Sequence, residues 1–260
     1  MPETGTRPEI VTIPCLQDNY AYLLHDPATG RTALVDAPEA APIEATLAAR
    51  GWQLTDILIT HHHWDHVDGV EALRSATGAR VWGAAADAHR LPPLDHALAE
   101  GDTVEIGTLQ GHVIDVSGHT VGHVAYHFPG AGAVFTADSL MALGCGRLFE
   151  GTPGQMWESL QKLAALPPAT LVCSGHEYTA ANARFALTIE PGNTALRSRC
   201  DAVAAARAEG RPTVPSSLTE ELATNPFLRA ADPGIAAQLE MAGAAPADVF
   251  ARIRSLKDAF

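Results

Sequence analysis

The segment that most restricts the possible folds is residues 60–69, THHHWDHVDG, at the end of a predicted buried strand over residues 56–60. Four metal-binding side chains fall within six residues of this segment, namely His61, His63, Asp65 and His66. Imidazole and carboxylate groups bind first-row divalent metals well, and a rigid strand ahead of them fixes their directions at a small entropic cost. Taken alone, the segment also fits a histidine-rich surface turn.

Three later segments place further metal-binding residues where predicted strands end. These residues are His119 in GHT, Asp138 in TAD and His176 in SGHEY. Strand ends in a layered sheet meet at one edge, so side chains that are distant in sequence can meet in space. We therefore expect these three residues and the histidine segment to form one site.

The first two-thirds of the chain read as short apolar strands separated by turn residues and a few helices. Strands are predicted at residues 10–14, 20–25, 32–36, 56–60, 80–82, 103–106, 112–117, 123–128, 133–137 and 171–174, and helices at residues 40–50, 69–77 and 155–166. Early strands with interspersed helices favour two packed sheets covered by helices, which is an α/β fold.

After Gly175 the sequence is alanine-rich with a helical period, and no strand is predicted as far as Phe260. Ser217 and Glu220 have the S-x-x-E spacing of a capping box, in which each side chain satisfies a free backbone N–H at a helix start. We therefore predict a main domain over residues 1–179 and a helical domain over residues 180–260.

Composition limits the class of protein. A chain of 260 residues with 47% hydrophobic content can bury a substantial core. Its net charge of -13 argues against nucleic-acid binding, which depends on clustered Lys and Arg. Residues 1–180 hold eight basic and 21 acidic residues and residues 181–260 hold nine of each, so an anionic ligand would use the cations of the tail.

Targeting features point to a cytoplasmic protein. Residues 1–9 lack the apolar region of an export signal, and no apolar stretch approaches the length of about 18 residues that a membrane span needs. Four cysteines without a C-x-x-C pair suit a reducing compartment.

The combined pattern resembles the metallo-β-lactamase superfamily, whose T-H-x-H-x-D-H motif matches residues 60–66 and whose later ligand positions are matched in order. The resemblance implies a four-layer αβ/βα sandwich with a C-terminal helical domain. It also implies two divalent metal ions per chain, for which zinc is the preferred assignment and iron or manganese are the alternatives. One metal would be held by His61, His63 and His119, the other by Asp65, His66 and His176, and Asp138 would bridge them.

Within this superfamily the chain is most similar to the glyoxalase II family. The matching segments are IPCLQDNY at residues 13–20, CGRLFEGT at 145–152, GHEYT at 175–179, NPFLR at 225–229 and RSLKD at 254–258. The resemblance implies hydrolysis of the thioester S-D-lactoylglutathione, and of related S-2-hydroxyacylglutathiones, to D-lactate and glutathione, the second step of methylglyoxal detoxification. The domain over residues 1–179 would be catalytic, and the domain over residues 180–260 would bind substrate. From the charge and the lack of a long apolar stretch we expect a protein that binds neither nucleic acid nor membrane, and we expect a monomer.

The family's glutathione-binding positions map onto Arg147, Phe149, Tyr178, Arg254 and Lys257, where cations would pair with the carboxylates of glutathione. Arg147 replaces the lysine of some members, which keeps the charge and changes its geometry. Phe149 replaces a tyrosine and loses a hydroxyl donor. These departures bear on substrate affinity more than on the type of reaction.

The implied mechanism is metal-assisted hydrolysis, in which a water held between two cations has its pKa lowered towards about 7 and attacks the thioester carbonyl as hydroxide. A metal would stabilise the oxyanion, and glutathione would leave as a thiolate. Asp65 and Asp138 would orient the hydroxide. Because no side-chain nucleophile is needed, Ser139, Ser174 and Cys145 are interpreted as ordinary side chains.

The other histidines are not predicted to bind metal. His62 lies between two ligands and would point away from them, and His123 is interpreted as a packing or hydrogen-bonded residue near the site. The remaining five lack partner ligands at suitable spacing and are interpreted as surface or core imidazoles, namely His25, His89, His96, His112 and His127.

An iron-dependent persulfide dioxygenase of the same superfamily is the main alternative, because His61, His119 and Asp138 would also supply its single-metal site. Arg254 and Lys257 in the helical tail favour the thioesterase. A metal-dependent nuclease is disfavoured by the acidic charge. A purely structural metal site is disfavoured as well, since such sites are closed by four tight ligands.

Overall fold

The computed structural model describes residues 7–260, and contacts within the chain divide them into two compact units. The first unit contains the described residues up to Asp115 together with Val121–Thr136, and the second contains Val116–Thr120 and Ala137–Phe260. The prediction that the N-terminus lacks an export signal falls mainly on residues 1–6, which lie outside the described residues. The domain boundary after residue 179 stays a prediction.

The first unit contains a sheet with helical crossovers. Its strands are β1 (Glu9–Cys15), β2 (Asn19–Asp26), β3 (Arg31–Val35), β4 (Gln53–Leu58), β5 (Arg80–Ala84) and β6 (His96–Leu98), and its helices are α1 (Ala40–Arg50), α2 (Trp64–Val67) and α3 (Val70–Thr77). The strands lie in chain order, antiparallel from β1 to β3 and parallel from β3 to β6. Parallel neighbours need a crossover, which α1 supplies between β3 and β4 and α3 supplies between β4 and β5.

The crossover helices cover one face of this sheet. Ile43 of α1 and Leu73 of α3 are fully buried in one cluster with Leu34 of β3 and Ile57 of β4. Complete burial of an aliphatic side chain of this size contributes roughly 1.5–3 kcal/mol. This packing holds β3 and β4 firmly, so the residues that follow them start from a fixed backbone.

The other face packs against antiparallel strands of a second sheet. These strands are β7 (Thr103–Ile106), β8 (Leu109–Asp115), β9 (Val124–Phe128) and β10 (Ala133–Ala137), in the order β10–β9–β8–β7. Tyr22 meets Phe135 edge to face, with 5.7 Å between the ring centroids. The buried Tyr126 hydroxyl donates to the carbonyl of Ile59 at 2.8 Å. The second sheet therefore supports the backbone just before the histidine segment.

The second unit is mainly helical. Its helices are α4 (Pro153–Ala164), α5 (Thr179–Ile189), α6 (Thr194–Ala208), α7 (Leu218–Thr224), α8 (Pro233–Gln238) and α9 (Pro246–Ala259), and its strands are β11 (Leu140–Met141), β12 (Gly144–Cys145), β13 (Leu171–Ser174) and β14 (Ser216–Ser217). The Phe227 ring lies 6.0 Å from Phe185 and 5.8 Å from Phe250, and Trp157 lies 6.1 Å from Phe250. Helices α4, α5 and α9 thus share one aromatic core.

A buried carboxylate connects the helices to the loop between β11 and β12. Glu221 accepts hydrogen bonds from Arg199, from the Ser216 hydroxyl at 2.6 Å and from the backbone N–H of Leu143 at 2.9 Å. A buried charge is tolerated when it is paired and hydrogen-bonded, and these contacts meet that condition. The network therefore supports the loop that leads to Arg147.

Many predicted elements are confirmed with their predicted bounds. Helix α1 and strands β7, β10 and β13 begin and end where the pattern places them, and Ser217 and Glu220 form the predicted capping box. The prediction of no strand after residue 175 is wrong, because β14 pairs with β13. A two-residue strand has no period of its own and exists only through its partner, so the sequence pattern misses it, as it misses β6, β11 and β12.

Helix lengths and thiols bear on two expectations from composition. Within residues 7–260 no helix combines the length and apolarity needed to cross a bilayer. Cys15, Cys145 and Cys173 are buried, Cys200 is half-buried, and all four are free thiols. Burial raises the pKa of the Cys145 thiol to about 11, so it is protonated at neutral pH and is not an activated nucleophile.

Candidate metal centre

Asp36, which follows β3, fixes both ends of the histidine segment. Its carboxylate accepts hydrogen bonds from the Thr60 N–H at 2.9 Å, from the Thr60 hydroxyl at 2.8 Å and from His66 Nδ1 at 2.8 Å. Asp36 has a φ of 56°, a left-handed backbone that a residue with a side chain seldom adopts. Such strain persists where the surrounding structure imposes it, and it is common at functional sites.

The imidazoles of the segment converge. His61 Nε2 lies 3.2 Å from His63 Nδ1, and the ring centroids of His61 and His66 are 4.2 Å apart. One donor atom each from Asp36, His61 and His66 lies within 4.8 Å of the others. Three predicted ligands thus come together within the first unit, beside a carboxylate that the sequence pattern did not single out.

Asp65 and His66 lie together in the four-residue helix α2, and each is held by a residue from elsewhere in the unit. Asp36 holds His66, as described above. Asn19 Nδ2 donates to both the carbonyl and the Oδ2 atom of Asp65, each at 3.0 Å. The Asp65 Oδ2 atom lies 3.9 Å from His66 Nε2, so the two neighbours direct donor atoms to one place.

Two histidines near the ligands have supporting contacts. His62 Nδ1 donates to Asp87 Oδ2 at 2.8 Å, and Arg90 donates to the same carboxylate. His62 therefore directs its Nδ1 atom to Asp87, which agrees with its predicted orientation. His123 stacks on His61 with centroids 4.5 Å apart and planes within 10°, which is the packing role predicted for it.

In the second unit Asp138 lies between two histidines. Its Oδ2 atom lies 3.4 Å from His119 Nε2, and its Oδ1 atom lies 3.3 Å from His176 Nε2. All three side chains are buried. The backbone N–H of Gly175 donates to the carbonyl of Ala137 at 3.1 Å, which holds the residues before Asp138 and His176 side by side. A carboxylate that turns one oxygen towards each imidazole suits the predicted bridging role.

The loop after β12 orients His119. His119 Nδ1 donates to the carbonyl of Arg147 at 2.8 Å, which leaves Nε2 facing Asp138. At Gly146 a Cβ atom would lie 2.1 Å from the Asp138 carbonyl oxygen and 2.8 Å from His119 Nδ1. Only glycine fits between these groups, since it has no Cβ.

Gly146→Ala is therefore expected to displace His119 or Asp138, to lower the free energy of unfolding by about 1–3 kcal/mol, as overpacking does, and to weaken metal binding. Urea denaturation and elemental analysis of the purified variant measure the two effects. Gly154→Ala is the matched control, because a Cβ there meets no atom closer than 3.9 Å and the position lies in α4. Equal behaviour of the two variants would contradict the close fit at Gly146.

The donor sets fit a first-row divalent metal. Three of the imidazoles have their other ring nitrogen engaged, by the Thr60 hydroxyl for His61, by the Asp36 carboxylate for His66 and by the Arg147 carbonyl for His119. Metal-ligating histidines almost always use the second nitrogen in this way, which fixes the tautomer and the ring orientation. Mixed imidazole and carboxylate donors suit zinc, iron and manganese.

Two exposed aromatic side chains lie beside predicted metal ligands of the second unit. Phe149 is 61% exposed and meets His119 edge to face, with 5.3 Å between centroids. Tyr178 is 38% exposed and stacks on His176 at 4.6 Å. Both predicted substrate-binding residues are therefore partly exposed to solvent next to a predicted metal ligand.

The predicted substrate-binding arginines differ in exposure. Arg254 is buried, and it donates to the Cys145 carbonyl at 2.9 Å and to Asp258 at 2.8 Å. The Arg147 side chain is 58% exposed, and its Nε atom lies 3.4 Å from the same Asp258 carboxylate. Arg254 thus holds the loop at Cys145, while Arg147 presents a guanidinium to solvent.

Lys257 lies one turn further along α9, between aromatic rings. Its Nζ atom lies 5.3 Å from the Phe185 ring centroid and 5.4 Å from that of Phe260. Burial, followed by the positive charges of Arg254 and Arg184, lowers the pKa of the Lys257 amine from its ordinary value. The surroundings of the Lys257 amine therefore disfavour its protonated, positively charged form.

Sequence reasoning missed Asn19, Asp36 and Asp87 as residues that hold ligands or their neighbours. Asp36 ends a predicted strand, which is the same signal that marked the later ligands. Asn19 lies in the segment IPCLQDNY, which carries the family resemblance but does not indicate a contact with Asp65. No local signal distinguishes Asp87.

Two family models match the chain. "Metallo-beta-lactamase superfamily" matches residues 17–176, and "Hydroxyacylglutathione hydrolase C-terminus" matches residues 177–260. The chain is 75% identical to the hydroxyacylglutathione hydrolase of Jannaschia sp. (strain CCS1), over 97% of this chain and 99% of that protein. It is 67% identical to the protein of the same name from Ruegeria pomeroyi, with the same two coverages.

Solved structures are similar over most of the chain. BLEG-1 B3 metallo-β-lactamase matches with a TM-score of 0.65 and 23% identity, over 85% of this chain and 99% of its own, a likeness that concerns the fold alone. TTHA1623, solved in a di-iron-bound form, matches with a TM-score of 0.62 and 27% identity, over 85% of this chain and 100% of its own.

Proposed function

Because the chain belongs to the hydroxyacylglutathione hydrolase family, also called glyoxalase II, within the metallo-β-lactamase superfamily, we propose that it hydrolyses S-D-lactoylglutathione and related S-2-hydroxyacylglutathiones. The products are D-lactate, or the corresponding acid, and glutathione. The observation that carries the proposal is the high identity over nearly the full length of named relatives, joined to buried histidine and aspartate donors in both compact units.

We propose that these donors hold two divalent metal ions, zinc first and iron or manganese as alternatives. The ligands are His61, His63 and His119 for one ion, Asp65, His66 and His176 for the other, and Asp138 for both. A bound divalent cation supplies Lewis-acid chemistry, which lowers the pKa of water and stabilises negative charge on a carbonyl oxygen. The engaged second nitrogens of His61, His66 and His119 support this assignment.

The chain's own carboxylates orient the reactants. Asp65 is held by Asn19, and Asp138 is held between two imidazoles, so each carboxylate accepts a hydrogen bond from water in a defined direction. Water adds to the thioester carbonyl carbon, the C–S bond breaks and the sulfur departs as glutathione thiolate. Of the two protons of this water, one protonates the glutathione thiolate through solvent and the other is released to solvent as the acid ionises to D-lactate. No side-chain nucleophile takes part.

Glutathione carries two carboxylates, which need cationic partners. We propose that Arg147, Arg254 and Lys257 supply the positive potential, with Arg147 and Lys257 nearest the ligand and Arg254 holding the loop at Cys145. The exposed rings of Phe149 and Tyr178 would cover the apolar part of the thioester. Phe149 offers contact area without a hydroxyl donor.

The proposal places the protein in the cytoplasm as a monomer, in the second step of methylglyoxal detoxification. Residues 1–179 form the catalytic domain and residues 180–260 the helical substrate-binding domain. The net charge of -13 supports a protein without a nucleic-acid partner.

Elemental analysis of the purified protein together with an S-D-lactoylglutathione assay tests the proposal. About two equivalents of metal per chain and hydrolysis that chelators abolish are expected. Oxygen uptake with glutathione persulfide, without thioester hydrolysis, would instead assign a persulfide dioxygenase. RNA cleavage by the metal-loaded protein would assign a nuclease.

A further inference from the structure

Asn19 makes an unusual pair of contacts with Asp65. A single nitrogen, Asn19 Nδ2, donates to the main-chain carbonyl and to the side-chain Oδ2 of the same residue, each at 3.0 Å. Asn19 is 5% exposed, whereas the Asp65 side chain is 21% exposed. The buried amide therefore clamps a partly exposed carboxylate to its own backbone.

The clamp removes conformational freedom that Asp65 would otherwise keep. Asp65 lies in the four-residue helix α2, which is too short to be rigid through its own hydrogen bonds. An aspartate has two side-chain torsions, and fixing both backbone oxygen and Oδ2 to one nitrogen restricts them together. The Oδ2 atom that the amide holds is also the one that lies 3.9 Å from His66 Nε2, so the amide fixes the carboxylate in a defined direction beside its neighbouring ligand, as metal ligation requires.

Asn19 is itself rigidly placed. It is the first residue of β2 and pairs with Cys15 of β1 across a tight turn. In that turn Leu16 has a φ of 50°, and its backbone N–H donates to Glu39 Oε1 at 2.5 Å. A left-handed backbone at a non-glycine residue carries strain that the surroundings must offset. The turn before Asn19 is therefore held by the pairing of β1 with β2 and by the hydrogen bond from Leu16 to Glu39.

The neighbouring ligand has a different anchor. His66 is held by Asp36, which follows β3, so the adjacent residues Asp65 and His66 are positioned independently by two strand ends of the same sheet. Loss of one anchor leaves the other in place. An effect on Asp65 alone can thus be separated from a collapse of the histidine segment.

We propose that Asn19 is a positioning residue, and this inference rests on the proposed function. Asn19 fixes the direction of Asp65 as a ligand and thereby sets the affinity for the metal ion that Asp65 and His66 hold. It touches neither substrate nor metal. Its contribution acts through the direction of one carboxylate.

Asn19→Ala and Asn19→Asp test the proposal, and the second variant keeps the shape while replacing the donor by an acceptor. Each variant is equilibrated with a chelator at graded free zinc, and bound zinc is counted. One of the two ions is expected to bind 10–100-fold more weakly, as when a residue that supports a metal ligand is removed, while the other is retained. At limiting zinc, kcat for S-D-lactoylglutathione falls and KM is unchanged.

Asn193→Ala is the matched control. Asn193 also donates its amide to a main-chain carbonyl, that of Ala223 at 3.0 Å, and it caps α6 through Leu196. Its loss should lower the unfolding temperature while both zinc ions stay bound. A purely structural role for Asn19 would give this same pattern.

Retention of both ions at wild-type affinity in the Asn19 variants overturns the proposal, as does equal weakening of both ions. The proposed function fails separately: wild-type protein would then bind zinc but leave S-D-lactoylglutathione intact. In that case the selective loss of one ion in the variants still supports the positioning role.

Discussion

Alanine at position 138 is expected to abolish hydrolysis of S-D-lactoylglutathione and to lower the metal content of the protein. The Asp138 carboxylate is buried and turns one oxygen towards His119 and the other towards His176. Its removal deletes the proposed bridge and two oxygen donors at once. The loss of turnover should exceed about a hundredfold, which is the upper end for residues that only support a metal ligand.

Turnover and metal content are measured on the same preparations of Asp138→Ala. Asp138→Asn, which keeps the volume and removes the charge, should also be inactive if charge is what the position supplies. Asp232→Ala is the control, because Asp232 caps α8 and its loss should cost about 1 kcal/mol of stability without changing metal content. Normal turnover in Asp138→Ala would exclude this residue as the bridge.

The predicted metal ligands can be read in the sequence because they come shortly after predicted strands. His61, His63, Asp65 and His66 lie within one segment, so their direction is set by local backbone that the pattern already reveals. The predicted metallo-β-lactamase fold and the family are confirmed. The assignment of each ligand to a metal stays a prediction.

The residues that hold the ligands could not be read in the same way. Asn19 is 46 residues from Asp65 in sequence, and Asp36 is 30 residues from His66. Such contacts exist only after β2, β3 and β4 have paired, and a single sequence contains no signal for that pairing. The short strands β6 and β14 were missed for the same reason, since they are defined by their partners.

The burial of Arg254 suggests a structural role that the sequence does not indicate. The sequence offers Arg254 and Lys257 as equivalent cations on one helix. The structure places the Arg254 guanidinium under the loop at Cys145, where it donates to a carbonyl and lies over the Phe227 ring at 5.1 Å. Removal of Arg254 would disturb the loop that leads to Arg147, so it is a poor probe of substrate recognition. Lys257 is the cleaner probe.

Lys257→Met is expected to raise KM for S-D-lactoylglutathione by roughly tenfold to a hundredfold, since a hydrogen bond to a charged group contributes about 1.5–3 kcal/mol.

Lys257→Met is also expected to unfold at a higher temperature than the wild-type protein at neutral pH. Burial lowers the pKa of the Lys257 amine, so the folded protein binds its proton less tightly than the unfolded chain does. The free energy of unfolding therefore rises with pH between the lowered pKa of the folded protein and the ordinary value of 10.5. At pH values below the lowered pKa, the buried positive charge destabilises the folded protein by its full amount.

The buried charge of Lys257 lowers the stability of the folded protein, so we infer that its function requires the charge. Binding of an anionic substrate is such a function. The stability gain of Lys257→Met should accordingly shrink as the pH approaches 10.5, where the wild-type amine loses its proton. Lys162→Met on the exposed face of α4 is the control and should change neither KM nor the unfolding temperature appreciably. If KM for an uncharged thioester of the same acyl group rises as much as that for the glutathione thioester, Lys257 does not recognise glutathione, and the cation needs another explanation.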